Sequence, residues 1–99
     1  MATYIMLMKF LDPGVESIQN ASVGRAAGKK AAKALGITWK QQYLMMGDYD
    51  IITILEAPND EVVAKFALMG MTGSLAITTM RAFTESEADK LIKELRPPE

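Results

Sequence analysis

One segment of this chain is apolar on both faces of the strand that it should form, and this feature limits the fold more than any other. Residues Thr3 to Leu11 are an almost unbroken apolar run that ends at the turn signal Asp12-Pro13-Gly14. Neighbouring strand residues point to opposite faces of a sheet. One face therefore carries Tyr4, Met6, Met8 and Phe10, and the other carries Ile5, Leu7 and Leu11. A sheet face in water usually shows polar residues at alternate positions, so we expect both faces to be covered.

Two helices are predicted from apolar periodicity and from helix breakers. The first runs from about Pro13 to Leu35, where Gly36 is placed to end it. Poor helix formers near Asn20 predict a bend or break, with Ser22 as a new N-cap. The second helix opens within residues 57–61 and leads into a loose connection over residues 70–74. Its apolar face is predicted to carry Val62, Val63, Phe66, Ala67 and Gly70.

Three further strands and a terminal helix complete the pattern. Thr38–Met46 and Asp50–Glu56 are rich in aromatic and β-branched residues and flank a Gly-Asp-Tyr turn, which predicts a hairpin. A fourth strand is expected from about Leu75 to Phe83. Thr84 and Glu87 have the spacing of a capping box, so a last helix should begin there and end before Pro97-Pro98.

The predicted order is β-α-β-β-α-β with an added C-terminal helix, in one domain over residues 1–99. This is a ferredoxin-like α+β fold with one four-stranded antiparallel sheet. Both crossovers should be right-handed, which places the two main helices on the same side of the sheet. The other face stays open.

A second copy of the chain is the expected cover for that open face. Burying a large apolar side chain contributes about 1.5 to 3 kcal/mol, and a patch of six or more is larger than soluble monomers usually expose. We therefore predict a homodimer or higher homo-oligomer in which two sheets pack face to face around a core or a cavity. The alternative is that the terminal helix folds over the face, although its roughly 11 residues would shield only part of it.

Composition excludes several functional classes. The formal net charge of -1 provides no basic field for nucleic acid or an anionic membrane. The chain has no Cys and no His, which removes disulfides, thiol nucleophiles and the usual zinc or haem ligands. We expect no cofactor, no metal and no membrane span, and we expect a cytoplasmic protein.

Several segments, taken together in order, resemble the bacterial GYD-domain family. They are the opening TYIMLMKF, the helix ending in ALG, W-x-x-x-Y-L-x-x-G-x-Y-D, EAP-x-D and the closing RAFTE, which span nearly the whole chain. The resemblance implies a dimeric α/β barrel with a pocket between subunits, and it leaves the chemistry of that pocket open. The apolar Ala76-Ile77 before Arg81 and the Met- and Gly-rich stretch MGMTG depart from the family pattern.

The best candidate site combines Tyr4, Tyr49, Asp50 and Arg81, with Tyr43 on a neighbouring strand as a further ligand-binding residue. We expect the strand order four-one-three-two, the third strand parallel to the first, and the fourth antiparallel to both. That arrangement brings the first four residues to one end of the sheet, where Arg81 would pair with Asp50 or clamp a carboxylate or phosphate. The structural alternative is that Asp50 pins the hairpin and Arg81 neutralises it.

Other residues have a functional and a structural interpretation. Asp48 and Asp50 form a D-x-D pair that suits Mg²⁺ or Ca²⁺, but a turn explains them better. Trp39, Gln41 and Tyr43 alternate along the second strand and would line a pocket or an interface. Lys9 is either a buried amine or, as we favour, a side chain that reaches water. The eight Met residues suit a pliable cavity wall or ordinary core filling.

The leading functional hypothesis is a homo-oligomeric carrier or sensor that binds a small, largely apolar molecule with one anionic or polar group between its subunits. A second hypothesis is a cofactor-independent enzyme, an isomerase or a monooxygenase-like protein, that uses Asp50 or Glu56 as general base. A third is a structural assembly unit with a solid core between subunits. An ion-paired carboxylate favours binding or structure, whereas a desolvated, unpaired one favours catalysis.

Overall fold

Seven elements follow one another in the computed structural model of the chain, which describes residues 1–11, 18–70 and 75–95. They are β1 (Ala2–Phe10), α1 (Ala21–Ala34), β2 (Thr38–Leu44), β3 (Ile51–Ala57), α2 (Asp60–Gly70), β4 (Leu75–Ala82) and α3 (Glu85–Lys93). This order confirms the predicted β-α-β-β-α-β pattern with a terminal helix. The predicted helix start at Pro13, most of the connection before β4 and the ending at Pro97-Pro98 lie outside the described residues.

The four strands form one sheet in the order β2-β3-β1-β4, as predicted. Every neighbouring pair is antiparallel, so the expectation that β3 runs parallel to β1 is wrong. The reason lies in the chain path. A crossover through α1 sets β2 parallel to β1, and the hairpin then reverses the chain into β3.

The helices α1 and α2 cover one face of the sheet, which we call the covered face. Its centre holds Tyr4, Met6 and Leu55, which are at most 4% exposed. The same buried cluster also contains Ala32, Ile37, Ala57, Val63 and Phe66. Burial of these side chains supplies the main stabilisation of the fold at about 25 cal/mol for each Å² of apolar surface removed from water.

The helix α1 begins at Ala21, after Asn20. This start confirms the predicted break. The prediction of Ser22 as N-cap is wrong, because Asn20 occupies the cap position and its side chain makes no capping hydrogen bond. The helix ends as predicted at Leu35 and Gly36, whose φ of 75° suits a residue without a β-carbon.

Both helices that follow the hairpin begin at side-chain caps. The Asn59 side chain accepts a hydrogen bond from the Val62 N–H at 3.0 Å and so caps α2. The predicted apolar face of α2 is confirmed, because Val63 and Phe66 are buried and Val62, Ala67 and Gly70 are half-buried. At α3, Thr84 and Glu87 form the predicted capping box.

The terminal helix α3 buries none of its residues. Leu91 and Ile92 are 48% and 62% exposed, and Leu95 after the helix is 74% exposed. The alternative in which this helix folds over the sheet is therefore wrong for the described chain. Within the described segments, no helix combines the length and the apolar character that a membrane crossing requires.

The second face of the sheet, which we call the open face, is apolar at its centre. The strand register aligns Ile5 with Ile54, Leu7 with Ile52 and Ile5 with Met80. These side chains are half-buried or exposed, and neither α1 nor α2 lies on this side. The two-faced strand predicted from the sequence is thus present with one face uncovered.

Candidate functional site

Tyr4 and Arg81 form the half of the predicted site that the fold does bring together. They are direct partners in the β1–β4 register, on the covered face near the start of β1. The Arg81 guanidinium carbon lies 5.6 Å from the centre of the Tyr4 ring and 4.4 Å from that of Phe83. At these distances both rings attract the cation.

Asp60, which was not predicted as a site residue, is the third member of this cluster. The Tyr4 hydroxyl donates a hydrogen bond to the Asp60 carboxylate. This bond, together with burial and the negative charge of Asp60, raises the pKa of Tyr4, while Arg81 lowers it by less. The phenol therefore stays neutral at physiological pH. The EAP-x-D segment was visible in the sequence, but the 56-residue separation hid the contact.

The Arg81 guanidinium contacts two backbone carbonyls and one carboxylate. One terminal nitrogen donates to the carbonyls of Thr3, at 3.2 Å, and Ala82. The other lies 4.0 Å from a carboxylate oxygen of Glu87 at the start of α3. Hydrogen bonds from Thr84, followed by Arg81, lower the pKa of Glu87 and keep it charged. Arg81 therefore links β4 to β1 and α3.

An open cleft of about 500 Å³ lies beside this cluster. It is lined by Ala2, Tyr4, Pro58, Asn59, Asp60, Glu61 and Arg81. Two carboxylates and one guanidinium make its polarity mixed, so it does not present the simple anion clamp that was predicted. The ligand-binding roles of Tyr4 and Arg81 stay a prediction.

Asp50 and Tyr49 lie at the opposite end of the sheet, so the predicted four-residue site does not form. Asp50 accepts a hydrogen bond from the Phe10 N–H at 2.8 Å, and its own N–H donates to the Met8 carbonyl at 2.9 Å. The predicted Asp50–Arg81 ion pair is wrong, because the antiparallel β3 starts beside the end of β1. Asp50 instead holds the hairpin against β1. This agrees with the structural alternative for Asp50, but Arg81 does not neutralise it.

The side chains of β2 divide between the two faces. An irregularity in register between Trp39 and Gln41 leaves Lys40 as an extra residue. Trp39 therefore lies on the covered face beside Leu55, whereas Gln41 and Tyr43 lie on the open face beside Ile54 and Ile52. The Tyr43 hydroxyl donates to the Gln41 side chain. The expectation that Trp39 and Tyr43 line one surface is wrong.

Neither proposed general base, Asp50 or Glu56, is the unpaired carboxylate that catalysis would need. Glu56 pairs with Lys40 at 3.2 Å on the open face. Asp50 holds the backbone hydrogen bond described above. The described residues contain no cluster of three or more acidic side chains that would hold a metal ion. Gly47, with a φ of 108°, accounts for the turn before Asp48.

Lys9 is exposed, which agrees with the favoured interpretation that its side chain reaches water.

A larger cavity, of about 580 Å³, lies between α1, α2 and the covered face. Its walls include Met6, Met8, Phe10, Trp39, Phe66 and Ile77, and its polar lining includes Asn20, Arg25 and Gln42. The Gln42 amide donates to the hydroxyl of buried Thr53 at 2.9 Å. A Met-lined cavity wall was among the expectations from the sequence, but its position between these elements was not predicted.

The strand order and the two helices on one face define a ferredoxin-like α+β protein. The GYD domain profile matches residues 4–92, and the chain belongs to this family, as predicted. It is similar to the glutamine synthetase and cystathionine beta-lyase binding protein of Thermus thermophilus. The two share 27% identity over 84 residues, which cover 83% of this chain and 88% of the relative.

Two solved structures show the same fold. Muconolactone isomerase aligns with a TM-score of 0.55 and 18% identity, over 84% of this chain and 90% of that one. The 30S ribosomal protein S6 of Thermotoga maritima aligns with a TM-score of 0.57 and 11% identity, over 94% and 98% of the two chains. Because an enzyme and a ribosomal protein both share it, this fold does not assign an activity.

Proposed function

We propose that this protein is a homodimeric binding protein whose two subunits pack through their open sheet faces. The observation that carries the proposal is the uncovered apolar centre of that face, formed by Ile5, Leu7, Ile52, Ile54 and Met80. The energy of covering such side chains, about 1.5 to 3 kcal/mol each, supports association of the chain. Face-to-face packing of sheets is a common way to bury a surface of this shape.

The polar residues around this centre suit a specific two-fold interface. The Lys40–Glu56 pair and the Tyr43–Gln41 hydrogen bond lie at the β2 edge of the open face. Lys9, opposite Ala76, lies at its other end. Apolar centres with polar rims are typical of protein interfaces. A two-fold axis would repeat this surface on both subunits.

The proposed partner of the dimer is a metabolic enzyme, with glutamine synthetase as the first candidate. The support is the Thermus thermophilus relative, which is named for binding glutamine synthetase and cystathionine beta-lyase. The paired state of Glu56 and the backbone bond of Asp50 also favour binding over catalysis. The small-molecule ligand between the subunits stays a prediction.

Sedimentation velocity between about 1 and 100 µM tests the dimer. The wild type should sediment with the mass of two chains. Ile54→Lys would place like charges in a desolvated interface and should give a monomer with an unchanged far-UV circular dichroism spectrum. Thr78→Lys, at an exposed position of the same face, repeats the test if the first variant does not fold.

Leu68→Lys is the matched control, because Leu68 of α2 is 68% exposed and lies away from the open face. This variant should remain dimeric. A monomeric wild type at 100 µM, or a folded Ile54→Lys protein that stays dimeric, would contradict the proposed interface.

Biolayer interferometry against immobilised glutamine synthetase tests the partner separately. Saturable binding of the wild type is expected, with immobilised serum albumin as the negative surface. Dimerisation without this binding would reject glutamine synthetase as the partner and leave the interface intact.

A further inference from the structure

We propose that the cavity between α1, α2 and the covered face binds a small, largely apolar molecule that carries one anionic group. This site is distinct from the open face and does not depend on the proposed dimer. The described residues line a space of about 580 Å³ that is partly open to solvent. Small-molecule sites are typically about 300 to 1,000 Å³, whereas packed protein interiors contain few voids larger than a water molecule.

The cavity exists because α1 diverges from the sheet towards its own N-terminus. In the C-terminal half of the helix, Ala32 is fully buried, and a β-carbon at Gly28 would lie 3.5 Å from the Trp39 ring. One turn earlier, a β-carbon at Gly24 would meet nothing within 4 Å. The helix therefore packs closely at one end and leaves a space at the other.

Apart from Arg25, the residues of α1 along this space are too small to fill it. They are Ala21, Gly24, Ala27, Gly28 and Ala31. The sheet and α2 present large apolar side chains to the same space, including Met8, Phe10 and Phe66. Met side chains adapt to guests of irregular shape, which suits binding of an apolar molecule.

The polar lining favours a negative group on the ligand. Arg25 is exposed and contributes to the lining, and one turn further along α1 the Lys29 ammonium lies 5.8 Å from the Trp39 ring centre. Among residues 1–11, 18–70 and 75–95, no Asp or Glu lines the cavity. A ligand with its apolar body inside and its anionic group beside Arg25 would satisfy both kinds of surface.

Two fluorescent probes test the site. One is 1-anilinonaphthalene-8-sulfonate, which is apolar with one anionic group, and the other is N-phenyl-1-naphthylamine, its neutral counterpart. Trp39 is the single Trp of the chain and lines the cavity, so bound probe should quench its emission. Both probes should bind saturably with that quenching.

Arg25→Gln separates charge from shape. This variant should weaken binding of the sulfonate up to about fivefold, the range of a solvent-accessible ion pair, and should leave the neutral probe unchanged. Equal effects on the two probes would overturn the anionic part of the proposal.

Gly24→Leu should fill the cavity and weaken binding of both probes by tenfold or more. Leu is also a better helix former than Gly, so the melting temperature should stay equal or rise. Ala26→Leu is the matched control, since Ala26 is an exposed residue of the same helix outside the lining. Unchanged probe binding in a folded Gly24→Leu protein would overturn the site.

Ile54→Lys distinguishes this cavity from the open face. Probe binding to the wild type that persists in Ile54→Lys supports the cavity, even if the protein proves to be monomeric. Binding that disappears with Ile54→Lys and survives Gly24→Leu would assign the probes to the open face and overturn the proposal.

Discussion

Leu55 and Ile54 are neighbours on β3, yet Leu55 is fully buried on the covered face and Ile54 keeps part of its surface exposed on the open face. The same contrast holds on β1 between Met6 and Ile5. Both faces are apolar, so the difference does not arise from side-chain type. It arises because both main helices lie on one side of a four-stranded sheet, which leaves the other side without cover.

Burial within the chain and burial within an assembly therefore need different measurements. A residue of the covered face contributes to the free energy of unfolding of each subunit. A residue of the open face contributes mainly when another surface covers it. Substitutions on the two faces should therefore change different measured quantities.

Truncation of Leu55 should have the largest effect. Leu55→Ala should lower the free energy of unfolding by about 2 to 5 kcal/mol, because it leaves a cavity in the packed cluster. Ile54→Ala is the matched change on the open face, and most of its cost should appear as weaker dimerisation. Urea unfolding at two protein concentrations checks both variants. Equal, concentration-independent losses would show that the two faces do not differ.

Asp50 holds the hairpin against β1 and so keeps both faces in register. Asp50→Ala should lower the free energy of unfolding by about 1 to 3 kcal/mol, because the Phe10 N–H loses its acceptor. Asp48→Ala is the control, since Asp48 is exposed in the same turn. Chemical denaturation of both variants gives the comparison, and equal stability would contradict the role of Asp50.

The terminal helix tests whether the open face is free of internal cover. Thr84→Ala removes the capping box and should destabilise α3 locally by about 1 kcal/mol. Because α3 buries no residue, this loss should appear as faster amide exchange in α3 with little change in global unfolding. A matching drop in global stability would indicate that α3 packs on the rest of the chain.

Tyr4 should show the smallest effect, as a change in pH dependence. Its pKa is raised in the folded state, so the neutral phenol contributes stability that is present below its unfolded pKa of about 10 and is lost as pH rises through the folded value. Wild type should therefore lose more stability than Tyr4→Phe above about pH 10. Thermal melts at increasing pH check this, and parallel curves would contradict the role of the Tyr4–Asp60 bond.

Features that depend on a few consecutive residues were predicted well. The capping box at Thr84, the break near Asn20 and the ending at Gly36 each depend on backbone groups within one helical turn. The alternation of apolar residues along β1 likewise predicted two apolar faces. These features are local, so one sequence contains nearly all the information that they need.

The candidate site was predicted only in part, because it combines residues from distant segments. Tyr4 and Arg81 were correctly placed together, but Asp50 was placed at the wrong end of the sheet through an incorrect strand direction. The contribution of Asp60 depends on where α2 begins relative to β1. Separation in space along antiparallel strands does not follow separation in sequence.

The order of elements, the capping box of α3 and the excess of apolar strand surface could be predicted from the sequence alone. Only the packing of the helices fixed which face of β1 is covered and how the side chains of β2 divide between the two faces. The extra residue Lys40 moved Trp39 to the covered face and Tyr43 to the open face, and the divergence of α1 from the sheet opened the cavity. Helix caps and strand periodicity depend on residues within one turn or one strand, so they can be predicted from the sequence. A shift of one residue in register, or a small tilt of a helix, depends on the packing of the whole domain.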